Sequence, residues 1–312
     1  MEKNSKSLIY VNSSLVKIEK QITIGEKLLG LLSIENDIFF YEDSLRGKVL
    51  RKEWFDSLSN EWKKRLGVEN VKKDAILLKI LIDLTMFELS ESEITDINPL
   101  KKLTNLIELT LENNQISDLS PLKELTNLTI LCLHESKIAD ISSLKYLTKL
   151  TKLELTGEII VYEYYQQLEK GQNEITDITP LKNLTSLKKL SIRSNKTEDF
   201  SPLKELINLT ELDLKDNKLT DVTFLKNLTN LMKLNLWKNE ITDITPLKEL
   251  TNLTELTLWD NKIIDVTSLG NLNNLTRLSL WSGNYFLRWN NNPVKDQQRR
   301  EIREMLPNTS IN

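Results

Sequence analysis

The chain has 312 residues, 39% hydrophobic and 28% charged, with a net charge of −3. It has 59 leucines against 8 glycines and 7 prolines; the charge and the lack of a glycine- or serine-rich tract argue against disorder, and no apolar run is long enough to span a membrane. The acidic balance disfavours a dedicated nucleic-acid binder, and a single cysteine excludes an internal disulfide framework. A long chain so poor in glycine and proline must make its turns from something else.

Residues 1–83 carry no regular period. Met1–Lys20 has polar residues every few positions, so no export signal is read there. A cytoplasmic protein is the expectation, with export that needs no cleaved signal as the alternative. Within this N-terminal extension and cap, a helix is predicted at about 53–67. Trp54, Leu58, Trp62 and Leu66 recur every four residues, and Gly67 suits the helix end. The two tryptophans are expected to cover the first turn of the periodic region. A second helix is read over 71–80.

From Leu84 the chain is periodic. The pattern L-x-x-L-x-L begins at Leu84, Leu106, Leu128, Leu150, Leu187, Leu209, Leu231, Leu253 and Leu275. Each step is 22 residues except the one from Leu150 to Leu187, which is 37. This is the signature of a leucine-rich repeat solenoid, an α/β fold. The second and third apolar positions alternate, so both lie on one side of a short strand. One turn cannot bury its leucines alone, so nine turns stack over 84–291 with a parallel sheet on the concave face.

Two further columns mark the turns. Asn114, Asn195, Asn217, Asn239 and Asn261 stand three residues past the last strand leucine. A side-chain amide there can bond the backbone where it bends away from the strand. Ser92, Ser136 and Gly283 depart from this column. Opposite, Asp recurs at 96, 118, 140, 177, 199, 221, 243 and 265, and Asn, Ser or Thr precedes each of five prolines. This predicts short helical turns on the convex face, with Asn, Ser or Thr as N-cap and proline first in the helix.

The 37-residue step holds an insertion at about 157–172 with Tyr162, Tyr164 and Tyr165. These are expected either to make partner contacts or to pack on the solenoid edge.

The residue after the third leucine gives a column on the open face: Ser90, Glu112, His134, Thr156, Arg193, Lys215, Trp237, Trp259 and Trp281. The three tryptophans fall on consecutive strands, about 5 Å apart. None is needed by the leucine core, and Trp and Arg are enriched at binding hot spots. Lys238, Asp260, Lys233, Glu255 and Arg277 surround them. A partner protein is therefore expected on this face, with no nucleic acid and a monomeric chain. Cross-strand stacking alone is the rival reading.

Catalysis has little support. Cys132 and His134 share a strand face, with Glu112 one strand away, which sketches a thiol enzyme or a partial metal site. There is no second histidine, and no phosphate loop or nucleophile elbow occurs. No enzyme, cofactor or metal is expected.

Residues 292–312 read as a C-terminal cap, with a helix opened by Pro293 and followed by a short strand. Val294, Ile302, Met305 and Leu306 are expected to cover the last turn.

Stretches such as Ile241–Lys262, ITDITPLKELTNLTELTLWDNK, resemble the 22-residue repeats of bacterial internalin-like leucine-rich repeat proteins. The resemblance implies a curved protein-binding solenoid, often acting on host or cell-surface proteins.

Overall fold

In the computed structural model, the described residues are 58–65, 84–89, 94–112, 114–134, 136–157, 173–281 and 292–311. The N-terminal segment 1–57, residues 66–83 with the second predicted helix at 71–80, Ser90, Ser92 and the tyrosines of the insertion lie outside them, as does Gly283.

The sheet has ten parallel strands in sequential order. They are β1 (Met86–Glu88), β2 (Glu108–Thr110), β3 (Ile130–Cys132), β4 (Lys152–Glu154), β5 (Lys189–Ser191), β6 (Glu211–Asp213), β7 (Lys233–Asn235), β8 (Glu255–Thr257), β9 (Arg277–Ser279) and β10 (Ser310–Ile311). In β1 to β9 the middle residue is apolar and buried, and its two neighbours face the other way. The register pairs these middle residues directly, Leu109 with Leu131 and Leu234 with Leu256. The leucines therefore form continuous buried columns, as the 22-residue period requires.

Opposite the strands, the described residues make eight 3₁₀ turns, from Asn98–Lys102 to Thr267–Asn271. Here the structure corrects the capping scheme. The Asn, Ser or Thr before proline is the first residue of the turn and makes no cap to it. The cap comes from the Asp two residues earlier. Its Oδ1 accepts the backbone N–H of Asn98, Ser120, Ser142, Thr179, Ser201, Thr223, Thr245 and Thr267, at 2.7 to 2.9 Å. A short carboxylate two residues upstream suits this bond better than a hydroxyl on the same residue. Where proline is missing at Phe224, its ring stacks on Phe200 at 6.1 Å.

The asparagine column binds turn to turn. Asn239 Oδ1 accepts N–H bonds from Asn217 and Leu219 of the preceding turn. Its Nδ2 donates to the carbonyls of Leu214, Leu236 and Trp237. Asn114, Asn217 and Asn261 repeat this pattern. Two rungs come after interruptions. Asn173 resumes the ladder after the insertion, receiving the Ile138 N–H. Asn292 does so at the end, receiving the Ile263 N–H and donating to Leu258 and Leu280. The rung is Asn292, nine residues later than the repeat would place it.

The corner beside this ladder turns without glycine. Ser194, Asp216, Lys238 and Asp260 occupy one repeat offset, and all have φ between 51 and 59°. Glycine is needed where backbones touch. A Cβ on Gly157 would lie 2.3 Å from the Ser194 carbonyl oxygen. Gly270 leaves room for Met305, whose Sδ would lie 2.8 Å from such a Cβ.

The ends differ. Helix α1 (Asn60–Arg65) is described only in part of the predicted span. Its Trp62 is buried, stacks on Phe87 at 6.5 Å and donates through Nε1 to the Asp96 carbonyl. Helix α2 (Asp296–Met305) starts three residues after Pro293, so that proline lies before the helix and does not open it. Val294, Ile302 and Leu306 are buried against the last turn, while Met305 is 43% exposed. Strand β10 pairs with β9 and extends the sheet. Among the described residues no helix is long and apolar enough to cross a membrane.

The ladder should outweigh the Asp caps in stability. Asn239 is 7% exposed, and removing its amide strands several buried backbone groups. Asn239→Ala is expected to lower the unfolding free energy by about 3 kcal/mol. Asp177→Ala, which removes one exposed cap, should cost roughly 1 kcal/mol. Urea denaturation of the two variants checks this order, and a larger loss for Asp177→Ala would refute it.

Candidate functional site on the sheet face

The outward residues of β1 to β9 and the column just past each strand form the open face of the sheet. From β5 to β9 its first row alternates in sign. Lys189 pairs with Glu211 at 2.9 Å, and Lys233 with Glu255 at 2.8 Å. Arg277 reaches Glu255 from the other side at 3.5 Å. These side chains are a third to three quarters exposed, so the pairs order the surface more than they stabilise it. All but Arg277 line a groove of about 400 Å³ that runs from Lys152 and Glu154 to Glu255 and Thr257.

The third row holds the predicted aromatic column. Trp237 and Trp259 stack with ring centroids 4.2 Å apart. Trp281 leaves the stack. It packs against the hydrophobic core, with the guanidinium groups of Arg299 and Arg303 5.1 and 5.4 Å from its ring. Proximity to helix α2, absent from the repeat pattern, explains the difference. The ladder is a pair with a third ring committed to the cap. Trp237 Nε1 is covered and has no hydrogen-bond acceptor among the described residues.

Lys215 sits differently from the exposed cation that the column suggests. It is 6% exposed, and its Nζ lies 3.4 Å from the Trp237 ring centroid. A cation over an indole face is a favourable contact. Arg193, one strand back, holds Asp213 at 2.6 Å. Asp213 also accepts from Asn235 Nδ2 and from the Lys215 backbone N–H. Lys238 pairs with Asp216 at 2.9 Å. Asp260 stands at the same offset as Lys238, beside the Trp259 carbonyl that accepts the Lys238 N–H.

At the other end of the face, His134 meets acids. Its Nε2 is 2.8 Å from Glu154 Oε2 and 3.8 Å from Glu112 Oε1. Lys152 holds the other Glu154 oxygen at 3.0 Å. The His134 hydrogen bond, then Lys152, holds the Glu154 carboxyl at about 2. Cys132 is buried beside them, and burial, then the Glu154 charge, pushes its thiol up to about 12. A thiol held protonated is a poor nucleophile, so a thiol-enzyme reading of Cys132 and His134 gains nothing from this geometry. Sequence reasoning finds Cys132, His134 and Glu112 but misses Glu154. The signal lies in the strand register, which pairs Cys132 with Glu154.

Lys215 gives the face a pH signature. Burial first, then the Arg193 charge, pulls its ammonium from 10.5 to about 8, against the opposing pull of Asp216 and Asp213. Between these values the unfolded chain holds a proton that the folded chain has lost. Stability from this group therefore rises with pH across about 8 to 10.5. Denaturation of the wild type and Lys215→Met at pH 7, 8.5 and 10 should show the wild type gaining on the variant as pH rises. A constant gap would refute the assignment.

Comparison with known proteins agrees with this architecture. The family model for leucine-rich repeats (2 copies) matches residues 82–124 and 207–249. Internalin C2 of Listeria monocytogenes is 35% identical over 64% of this chain and 82% of that one, with a TM-score of 0.57. A leucine-rich repeat protein of Leptospira interrogans shares 24% identity over 76% and 61%, with a TM-score of 0.58. The ectodomain of the Arabidopsis thaliana receptor kinase GASSHO1/SCHENGEN3 shares 22% over 73% and 26%, with a TM-score of 0.55. The last two share the fold alone. No curated protein matches the chain significantly. With nine turns, an asparagine ladder and this identity over most of internalin C2, the chain belongs to the internalin-like leucine-rich repeat proteins.

Proposed function

We propose that the chain is a non-enzymatic, monomeric protein-binding module whose sheet face receives a partner protein. The observation that carries this is the stacked Trp237–Trp259 pair, half-buried on an open face and separate from the leucine core. Stacking rewards the sheet, while the Trp237 N–H is covered and meets no acceptor among the described residues. Large aromatic surface beside ordered charges is the composition of a binding hot spot. Lys215 holds Trp237 from one side, so the pair is pre-set for docking. The alternating Lys189, Glu211, Lys233, Glu255 and Arg277 row favours a partner edge of mixed charge. His134, Arg193 and Lys238 are the further contacts proposed for it.

A second reading concerns where this takes place. The 35% identity to a Listeria internalin supports an exported effector or adhesin that engages a host protein. The cytoplasm is the rival location. Fractionating cells of the source organism separates the two.

The double variant Trp237→Ala/Trp259→Ala tests the face. Each hot-spot truncation typically costs about 2 kcal/mol or more, roughly thirtyfold in affinity. Proteins captured by the wild type, identified by mass spectrometry, should be lost from the variant while its cooperative unfolding persists. Unchanged capture with a lowered melting temperature would make the pair structural and remove this reading.

A further inference from the structure

The cluster at Cys132 is separate from the tryptophan pair, and of its residues only His134 is also a proposed partner contact. It brings three different donor types together on neighbouring strands. Cys132 and Glu154 are direct partners across β3 and β4. His134 lies two residues beyond Cys132, on the same face. One ligand atom from each of Cys132, His134 and Glu154 lies within 4.8 Å of the others. Donors around a tetrahedral zinc ion stand roughly 3.3 to 3.8 Å apart, given its usual bond lengths. Only side-chain adjustment separates the cluster from that spacing. The closest contact, His134 Nε2 to Glu154 Oε2 at 2.8 Å, would open as an ion enters between them.

We propose that Cys132, His134 and Glu154 form a binding site for a borderline-soft divalent cation of the zinc type. Glu112, 3.8 Å from His134 Nε2, closes the fourth position. The donor set decides the metal. Thiolate and imidazole favour zinc over magnesium or calcium, which prefer oxygen alone. Lys152 acts as a positioning residue. It holds Glu154 Oε1 at 3.0 Å and leaves Oε2 aimed at the histidine. Metal entry displaces the Cys132 proton to solvent, and the sulfur then binds as thiolate. His134 and Glu154 are 15% and 27% exposed, so the site opens to solvent on the sheet face. Bound there, the ion would tie β2, β3 and β4 together.

The composition makes the test clean, because the chain has one cysteine and one histidine. Chelator-stripped full-length protein is titrated with zinc by calorimetry and with cobalt(II) by absorption. The expected result is one equivalent of metal, a thiolate-to-cobalt charge-transfer band in the near ultraviolet, and intense visible bands of a four-coordinate ion. Cys132→Ser should lose the charge-transfer band. His134→Ala and Glu154→Gln should each weaken zinc binding at least about tenfold. Trp259→Ala should bind zinc like the wild type, which keeps this result independent of partner docking. A wild-type cobalt spectrum without the charge-transfer band overturns the proposal, whether or not the variants fold. So does zinc binding unaltered in both Cys132→Ser and His134→Ala.

Discussion

The whole array depends on how a buried corner satisfies its backbone. Each turn leaves the sheet at a sharp bend, and the N–H and C=O groups there face the interior of the stack rather than water. A short amide side chain answers both needs at once, since it donates from one end and accepts at the other. Asn239 makes five such bonds, to its own turn and to the one before. Leucine supplies the driving force for stacking, but leucine is non-directional. The amide fixes the spacing and register at which the leucines meet. This is why a chain with few glycines can still turn every 22 residues: Ser194, Asp216, Lys238 and Asp260 accept the left-handed backbone beside a rung that holds it in place.

Most of this architecture is legible in the sequence because a period repeated nine times leaves little freedom. The strands and their order follow from leucine spacing, and the short convex turns from the Asp and proline columns. What the pattern hides are local exchanges of role. Which of two neighbouring polar residues caps a turn depends on bond geometry, so the spacing marks Asp96 yet points to Asn98 as the cap. Asn292 escapes the pattern because a rung is defined by position in space, whereas a repeat is defined by offset in sequence. The tryptophan column is visible as identity, yet Trp281 answers to Arg299 and Arg303 of helix α2, which no repeat-based reading places beside it.

The sheet face divides into two chemistries. Around β6 to β8 it is aromatic and cationic, with Lys215 nearly buried against Trp237. Around β2 to β4 it is a compact set of acids with one imidazole and one thiol. Beside the aromatic end, from β5 to β9, runs a row in which successive charges cancel. The columns name both ends, but their character comes from the strand register. A neighbour one strand away lies 22 residues distant in sequence, or 37 across the insertion. Hence Glu154 joins His134 and Cys132 only once the strands are aligned.

The two delayed rungs have a consequence for how such a chain can change. Asn173 and Asn292 take up their bonds after added segments as faithfully as Asn217 and Asn239 do without them. Closing a longer loop costs only slowly more as it lengthens. The exit from each strand is therefore a junction at which chain length is nearly free, provided an asparagine is waiting on the far side. New surface can be spliced in beside the sheet, turn by turn, with no retuning of the stack that carries it.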